Sequence, residues 1–299
     1  MKMIEVRQIE KKFGSFKALN GINFEVKQGE VYGFIGPNGA GKSTTIRILL
    51  GIIQATSGNA LIFGKDVWKE AVDIHRRVAY VPGDVYLWES LTGGEIIDTF
   101  LKLKGSINKQ KRDELVERFQ LDPRKKAGSY SKGNRQKIAL ISAFSSDADL
   151  YILDEPTAGL DPLMEQIFQE CVQEVKANGK SVLLSSHILS EVEKLCDRVG
   201  IIREGEMIES GTLDELRHLT RTHIQLKTER SAEALQQLKG VHDFIENDEE
   251  YSFQVDTERL AKVIEELSKY GVRKLESMPP TLEALFMRHY QNDYRSKEG

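Results

Sequence analysis

Gly36-Pro37-Asn38-Gly39-Ala40-Gly41-Lys42-Ser43-Thr44 sets glycines before a lysine and two hydroxyls, the spacing GxxxxGK[ST]. Its chemistry is phosphate binding. Glycines let successive backbone N–H groups curl around phosphate oxygens with no side chain in the way. A helix beginning at the end of the loop would point its positive end at the same anions. Lys42 would then reach the β- and γ-phosphates of a nucleotide, and Ser43 would offer its hydroxyl to Mg²⁺.

A second stretch supplies the complementary chemistry. Leu150-Tyr151-Ile152-Leu153-Asp154-Glu155 is an apolar run ending in two carboxylates. At the carboxyl end of a strand beside a phosphate loop, Asp154 can hold Mg²⁺ through its water shell. Glu155 can accept a proton from an attacking water. Alone, such a pair also ends many solvated turns; after a phosphate loop, hydrolysis is the better reading.

These residues need a frame to hold them. Ile22, Phe24 and Val26 alternate with polar neighbours, and Lys27-Gln28-Gly29 turns the chain into a further strand, Glu30 to Ile35. After the loop, Ile46, Leu49 and Leu50 line one face of a helix stopped by Gly51. About Leu91 to Ser146 the pattern is helical and charged, as in a subdomain inserted between strands. The continuous apolar run Leu150 to Leu153 suits a parallel strand covered on both faces. Asp161 can cap a helix with Pro162 at its first position and Gly179 beyond its end. A strand, Val182 to Leu184, precedes His187. A hairpin around Glu204-Gly205-Glu206 leads to Thr212 and Glu215, which fit a capping box. Alternating strands and helices predict an α/β fold with a mostly parallel sheet.

Near Thr220 the composition changes. Strands at Ile224 to Lys227, Val241 to Ile245, Tyr251 to Val255 and Val272 to Ser277, with helices at Ala232 to Leu238 and Glu258 to Ser268, give a βαββαβ order. That order is compatible with a small ferredoxin-like α+β module. A last helix is expected from Leu282 to about Tyr290. The expected domains are 1–220, with a helical subdomain at about 88–146, and 221–299.

Composition narrows the function classes. The 42 basic and 46 acidic side chains leave a formal charge of -4, with no global attraction to nucleic acid. Cys171 and Cys196 have no metal-ligand spacing and read as core residues of a reducing, cytoplasmic protein. No apolar run reaches the roughly 18 residues needed to cross a bilayer, and Met1 to Arg7 lacks the apolar stretch of a secretion signal. At a membrane, a partner would do the spanning.

The phosphate loop and the acidic strand end together resemble the ATP-binding cassette superfamily, whose core is a P-loop, RecA-like sheet with an antiparallel β subdomain. Further segments extend the resemblance. Tyr130-Ser131-Lys132-Gly133-Asn134 is similar to the LSGGQ signature, which reaches the γ-phosphate of ATP bound on a second subunit. Ser131 and Gly133 match the phosphate-contacting positions; Lys132 and Asn134 depart from the pattern. Gly159-Leu160-Asp161 looks like the D-loop that crosses the dimer interface. His187 looks like the switch histidine that contacts the γ-phosphate. Phe13 matches the aromatic that stacks on adenine, with Phe16 a near competitor. Where the family usually has a glutamine that relays the state of the site, this chain has Gly83, followed by Asp84. Tyr86-Leu87-Trp88-Glu89 would lie where related proteins receive a coupling helix from a membrane subunit.

The resemblance spans roughly residues 3 to 218. The tail is similar to the extension of bacterial exporter ATPases of the drug- and antibiotic-resistance type, and Pro280 to Phe286 resembles the helix that closes many of them. The implied function is ATP binding and Mg²⁺-dependent hydrolysis, with Glu155, His187 and Lys42 catalytic and two cassettes, identical or not, clasping ATP. Multi-spanning permease subunits at the inner face of the cell membrane would do the transport, most plainly export of a drug, antimicrobial or lipid-like compound. An importer with a ligand-sensing tail is the alternative. A soluble ATPase switch fits less well, because the chain carries one phosphate loop and no long coiled-coil insertion.

Overall fold

Alternating burial along the first two strands shows what the sequence pattern builds. In the computed structural model, β1 (Lys2–Phe13) and β2 (Phe16–Lys27) form a long antiparallel hairpin, with Ile4, Val6, Ile9, Ile22 and Val26 buried. Residues 1–105, 108–218, 221–247 and 250–278 are described. They divide into two units, Met1–Ser210 and Gly211–Gly299.

In the first unit, β3 (Val31–Ile35) is buried at every position and leads through the glycine loop into α1 (Lys42–Leu49). β4 (Ser57–Ile62) and β5 (Lys65–Asp66) complete an antiparallel sheet of order β2-β1-β4-β5. α2 (Ala71–His75) and β6 (Val78–Val81) follow. The expected helical insertion is α3 (Gly93–Lys104), α4 (Lys109–Arg118) and α5 (Lys132–Phe144). Thr92 and Glu95 form a reciprocal capping box that starts α3.

The chain then returns through β7 (Leu150–Asp154), α6 (Pro162–Ala177), β8 (Ser181–Ser186) and α7 (Leu189–Leu195), ending in β9 (Arg198–Arg203) and β10 (Glu206–Thr212). The second sheet has the order β10-β9-β3-β8-β7-β6 and is parallel from β9 through β6. β7 and β8 are wholly buried, as their apolar runs require. Cys171 and Cys196 are free, buried thiols.

The second unit starts with α8 (Leu213–His218), whose entry carries the reciprocal Thr212–Glu215 box. β11 (Arg221–Thr228), β12 (Val241–Asn247), β13 (Glu250–Asp256), α9 (Leu260–Leu267) and β14 (Val272–Met278) follow. The sheet order β12-β13-β11-β14, antiparallel throughout, is the ferredoxin-like arrangement. One expectation fails. The helix foreseen at Ala232 to Leu238 is a 3₁₀ stretch, Glu233–Gln237. Ala232, Leu235 and Leu238 pack in the core at every third residue, the 3₁₀ repeat. The helix expected at Leu282 to Tyr290, with the Pro280 to Phe286 segment, lies outside the described residues.

Candidate active site

The order β3-β8-β7-β6 brings four loops to one carboxyl edge. Ile35 is in register with Ser186, and Asp154 with Ser185. The phosphate loop, the His187 turn, the Asp154-Glu155 pair and Pro82-Gly83-Asp84 therefore emerge side by side, the usual ligand position in an open parallel sheet.

The loop is one that only glycine can build. Gly39 and Gly41 sit at φ of 82° and 110°. A Cβ on Gly36 would lie 2.2 Å from the Ile202 carbonyl oxygen, and one on Gly41 would lie 2.6 Å from Leu19 Cδ2. Asn38 and Gly39 are exposed at the tip, Pro37, Ser43 and Thr44 are half-buried, and Ala40 is buried. The Lys42 ammonium is buried among oxygens. It donates to the carbonyls of Gly36 at 2.6 Å and Pro37 at 3.3 Å, and stands 3.2 Å from Glu155 Oε1.

Glu155 is held in a left-handed conformation, φ 48°, which a residue with a Cβ adopts at a cost. Its N–H donates to the Ser185 carbonyl at 3.1 Å, and the turn aims the carboxylate between two partners. Oε2 meets His187 Nδ1 at 2.6 Å, while Oε1, buried with no hydrogen bond of its own, faces Lys42. Asp154 is buried, and its Oδ1 accepts the Ser185 hydroxyl at 2.5 Å. Burial and the Asp154 charge push Tyr80 up to about 12, so it stays a neutral phenol. Asp154 and Ser43 offer hard oxygens, the donor type Mg²⁺ shares with phosphate and water.

A second cluster joins the start of α5 to the loop after β7. Ser131 caps α5, its exposed hydroxyl accepting the Asn134 N–H at 3.3 Å. Gly133 is pressed against the loop after β7: a Cβ there would lie 2.3 Å from the Gly159 carbonyl oxygen. Asp161 caps α6 through the Met164 N–H at 3.0 Å. Phe13 and Phe16 face each other across the hairpin tip, 51% and 65% exposed, with Lys11 Nζ 4.9 Å from the Phe13 ring. Both rings are available for stacking.

Sequence reasoning missed three features. Ser185 orders both acids, although it was legible only as a neighbour of His187. The buried Gln136 amide donates to the Pro156 carbonyl at 3.0 Å, tying α5 to the loop after β7. The third joins two departures from the family pattern. Gly83 lies against the strand end, where a Cβ would sit 3.3 Å from the Asp154 carbonyl oxygen, and the next residue, Asp84, pairs with Lys132 at 3.8 Å. Both side chains of that pair are exposed, so it contributes about 0–1 kcal/mol.

Beside Gly83 the surface is apolar. A groove of about 570 Å³ is lined by Val72, Tyr80, Tyr86, Phe100 and Leu103 among others. Tyr86 is 87% exposed; Trp88, half out of the surface, leans on Phe100 with ring centroids 5.9 Å apart. Exposed apolar groups gathered on one face mark an interaction surface.

Residues 19–158 match the family model described as ABC transporter, and residues 211–290 match the one described as ATP-binding protein DrrA1-3-like, C-terminal domain. The chain is 33% identical over 302 residues to the linearmycin resistance ATP-binding protein LnrL of Bacillus subtilis, covering 95% of this chain and 97% of that one. It is 37% identical over 248 residues to the bacitracin transport ATP-binding protein BcrA of Bacillus licheniformis, 81% of each. A solved structure of an ATP-binding subunit of an ABC transporter superposes with a TM-score of 0.67 at 33% identity, over 73% of this chain and 92% of that one.

Proposed function

Since this chain belongs to the ABC transporter family, as one of its ATP-binding and ATP-hydrolysing subunits, we propose that it drives the export of an antimicrobial or lipid-like compound through separate multi-spanning permease subunits. The observation that carries the reading is the unbroken chain Lys42–Glu155–His187 at the carboxyl edge of the parallel sheet. The names of LnrL and BcrA favour an antimicrobial cargo. Among the described residues no helix is long and apolar enough to cross a membrane. The subunit then works at the cytoplasmic face, held there by its permease, whose coupling segment fits the apolar groove beside Tyr86.

In this reading the loop Gly36 to Thr44 grips the triphosphate, with Lys42 on the β- and γ-phosphates, and Phe13 stacks on the adenine. Mg²⁺, when bound through Ser43 and Asp154, neutralises phosphate charge. Glu155 Oε1 takes the proton of the attacking water. His187 holds the other carboxylate oxygen and stabilises charge on the γ-phosphate. Ser131, Gly133 and Asp161 serve the ATP bound by a second nucleotide-binding subunit, identical or related. ATP that touches both halves favours the closed pair, and hydrolysis releases it.

The test is Glu155→Gln. Hydrolysis should fall by about 10²–10⁴-fold while ATP binding and ATP-dependent pairing persist. Unchanged turnover would remove Glu155 from its role. Failure of any multi-spanning protein to co-purify from detergent-solubilised membranes would remove the permease.

A further inference from the structure

One buried carboxylate at this edge has no part in the scheme above. Glu191, on α7, is 6% exposed. Its Oε2 accepts the Ser186 hydroxyl at 2.8 Å, and the same Ser186 oxygen accepts the Ile188 N–H at 3.0 Å. Ser186 and Ile188 flank His187. The two hydrogen bonds thus close a small ring around the histidine's backbone, a side-chain-to-main-chain turn fastened from below by the carboxylate. His187 itself is half-exposed and points Nδ1 at Glu155 Oε2. Nothing else in the described contacts braces its backbone in this way at a distance of one side chain.

Packing alone does not call for an acid here. Glu191 Oε1 is buried without a hydrogen bond, a costly arrangement that leucine would avoid. The groups facing it add no attraction to a charge: Glu165 comes from α6, Glu155 from the end of β7, and Cys196 from beyond α7. Burial pushes the Glu191 carboxyl up to about 7, with the Ser186 and Thr157 hydroxyls acting in the opposite direction. A neutral carboxyl and a carboxylate are therefore both accessible near neutrality, and the carboxylate grips the Ser186 hydroxyl more strongly.

We infer that Glu191 is a positioning residue for hydrolysis: through Ser186 it fixes the turn that presents His187 to Glu155. This rests on the roles proposed above for His187 and Glu155. It also assigns the turn a response to pH, firm when Glu191 is charged and looser when it is protonated.

The experiment compares the full-length chain with Glu191→Gln, Ser186→Ala, His187→Ala and the Glu191→Gln/His187→Ala double variant, measuring kcat and KM for ATP from pH 6 to 9. At pH 8, Glu191→Gln and Ser186→Ala should each lower kcat about tenfold, with KM changed less than about twofold, because a charge-assisted hydrogen bond is lost far from the bound nucleotide's own contacts. The rise in kcat through about pH 7 should flatten in Glu191→Gln. On top of His187→Ala, the Glu191 change should add nothing, since both act through one group. Parental kcat in Glu191→Gln, with His187→Ala slow, would overturn the inference and leave the site reading standing. A full, additive loss in the double variant would mean a structural role and would also overturn it. Parental kcat in His187→Ala would instead sink the reading of the site. Thermal unfolding of Glu191→Gln and Ser186→Ala, which should be no lower than about the parent's in Glu191→Gln, separates loss of fold from loss of positioning.

Discussion

Glu191→Gln should make the protein more stable in alkaline solution, although it removes a charged residue from beside the active edge. Burial raises the carboxyl from its ordinary 4.5 to about 7 in the folded chain. An acid with a raised folded-state value favours folding while protonated. That advantage is complete below the unfolded value of 4.5 and disappears as pH climbs through about 7. Each unit of the shift is worth about 1.4 kcal/mol, so the whole effect is about 3 kcal/mol, most of it between pH 5 and pH 8. Glutamine keeps an oxygen for the Ser186 hydroxyl and has no charge to bury. The stability difference between variant and parent should therefore swing in the variant's favour by about 2–3 kcal/mol from pH 5 to pH 8. Urea unfolding of both proteins at matched pH values reads this as a shift in midpoint at constant slope. Other titrating groups cancel between the two. In thermal melts the same swing is about 5–10 °C for a unit of this size. A variant-minus-parent difference that stays flat across this pH range would refute the argument that Glu191 is an acid strained by burial.

Three further outcomes follow from the geometry. Gly133→Ala must displace the Gly159 carbonyl, so ATP-dependent pairing should be lost while ATP binding to the single chain, measured by calorimetry, survives. Asp161→Ala should lower stability by about 1 kcal/mol through loss of the α6 cap, whereas Asp161→Asn keeps the cap and reports on pairing alone. Phe13→Ala should weaken ATP binding by about 1–3 kcal/mol and Phe16→Ala by less. The reverse ranking in an equilibrium titration would transfer the adenine contact to Phe16.

What could be read in advance was local. The glycines of the phosphate loop, the apolar run ending at Asp154 and the Asp161-Pro162 helix start each carry their cause within a few residues. Parallel order in the main sheet followed from buried runs alternating with helices. The features that escaped depend on partners far along the chain. Ser185 orders Asp154 from 31 residues away, and Gln136 reaches Pro156 across 20. Gly83 and Lys132 each looked like an isolated departure; only folding puts Asp84, next to the first, beside the charge of the second. Glu191 showed no mark in the sequence, because a helix surface normally carries glutamates and its burial is decided by packing. In the tail, residues at every third position were compatible with either helix type, and their packing into the core follows the tighter one.

The left-handed backbone at Glu155 has an evolutionary corollary. At that one position glycine would relax the chain by about 1 kcal/mol. A lineage selected for robustness alone would drift toward it, shedding the carboxylate in the process. With the role proposed for Glu155, screens that enrich this protein for heat resistance should thus yield inert survivors at residue 155, and a living lineage that retains the acid is one in which turnover outranks durability.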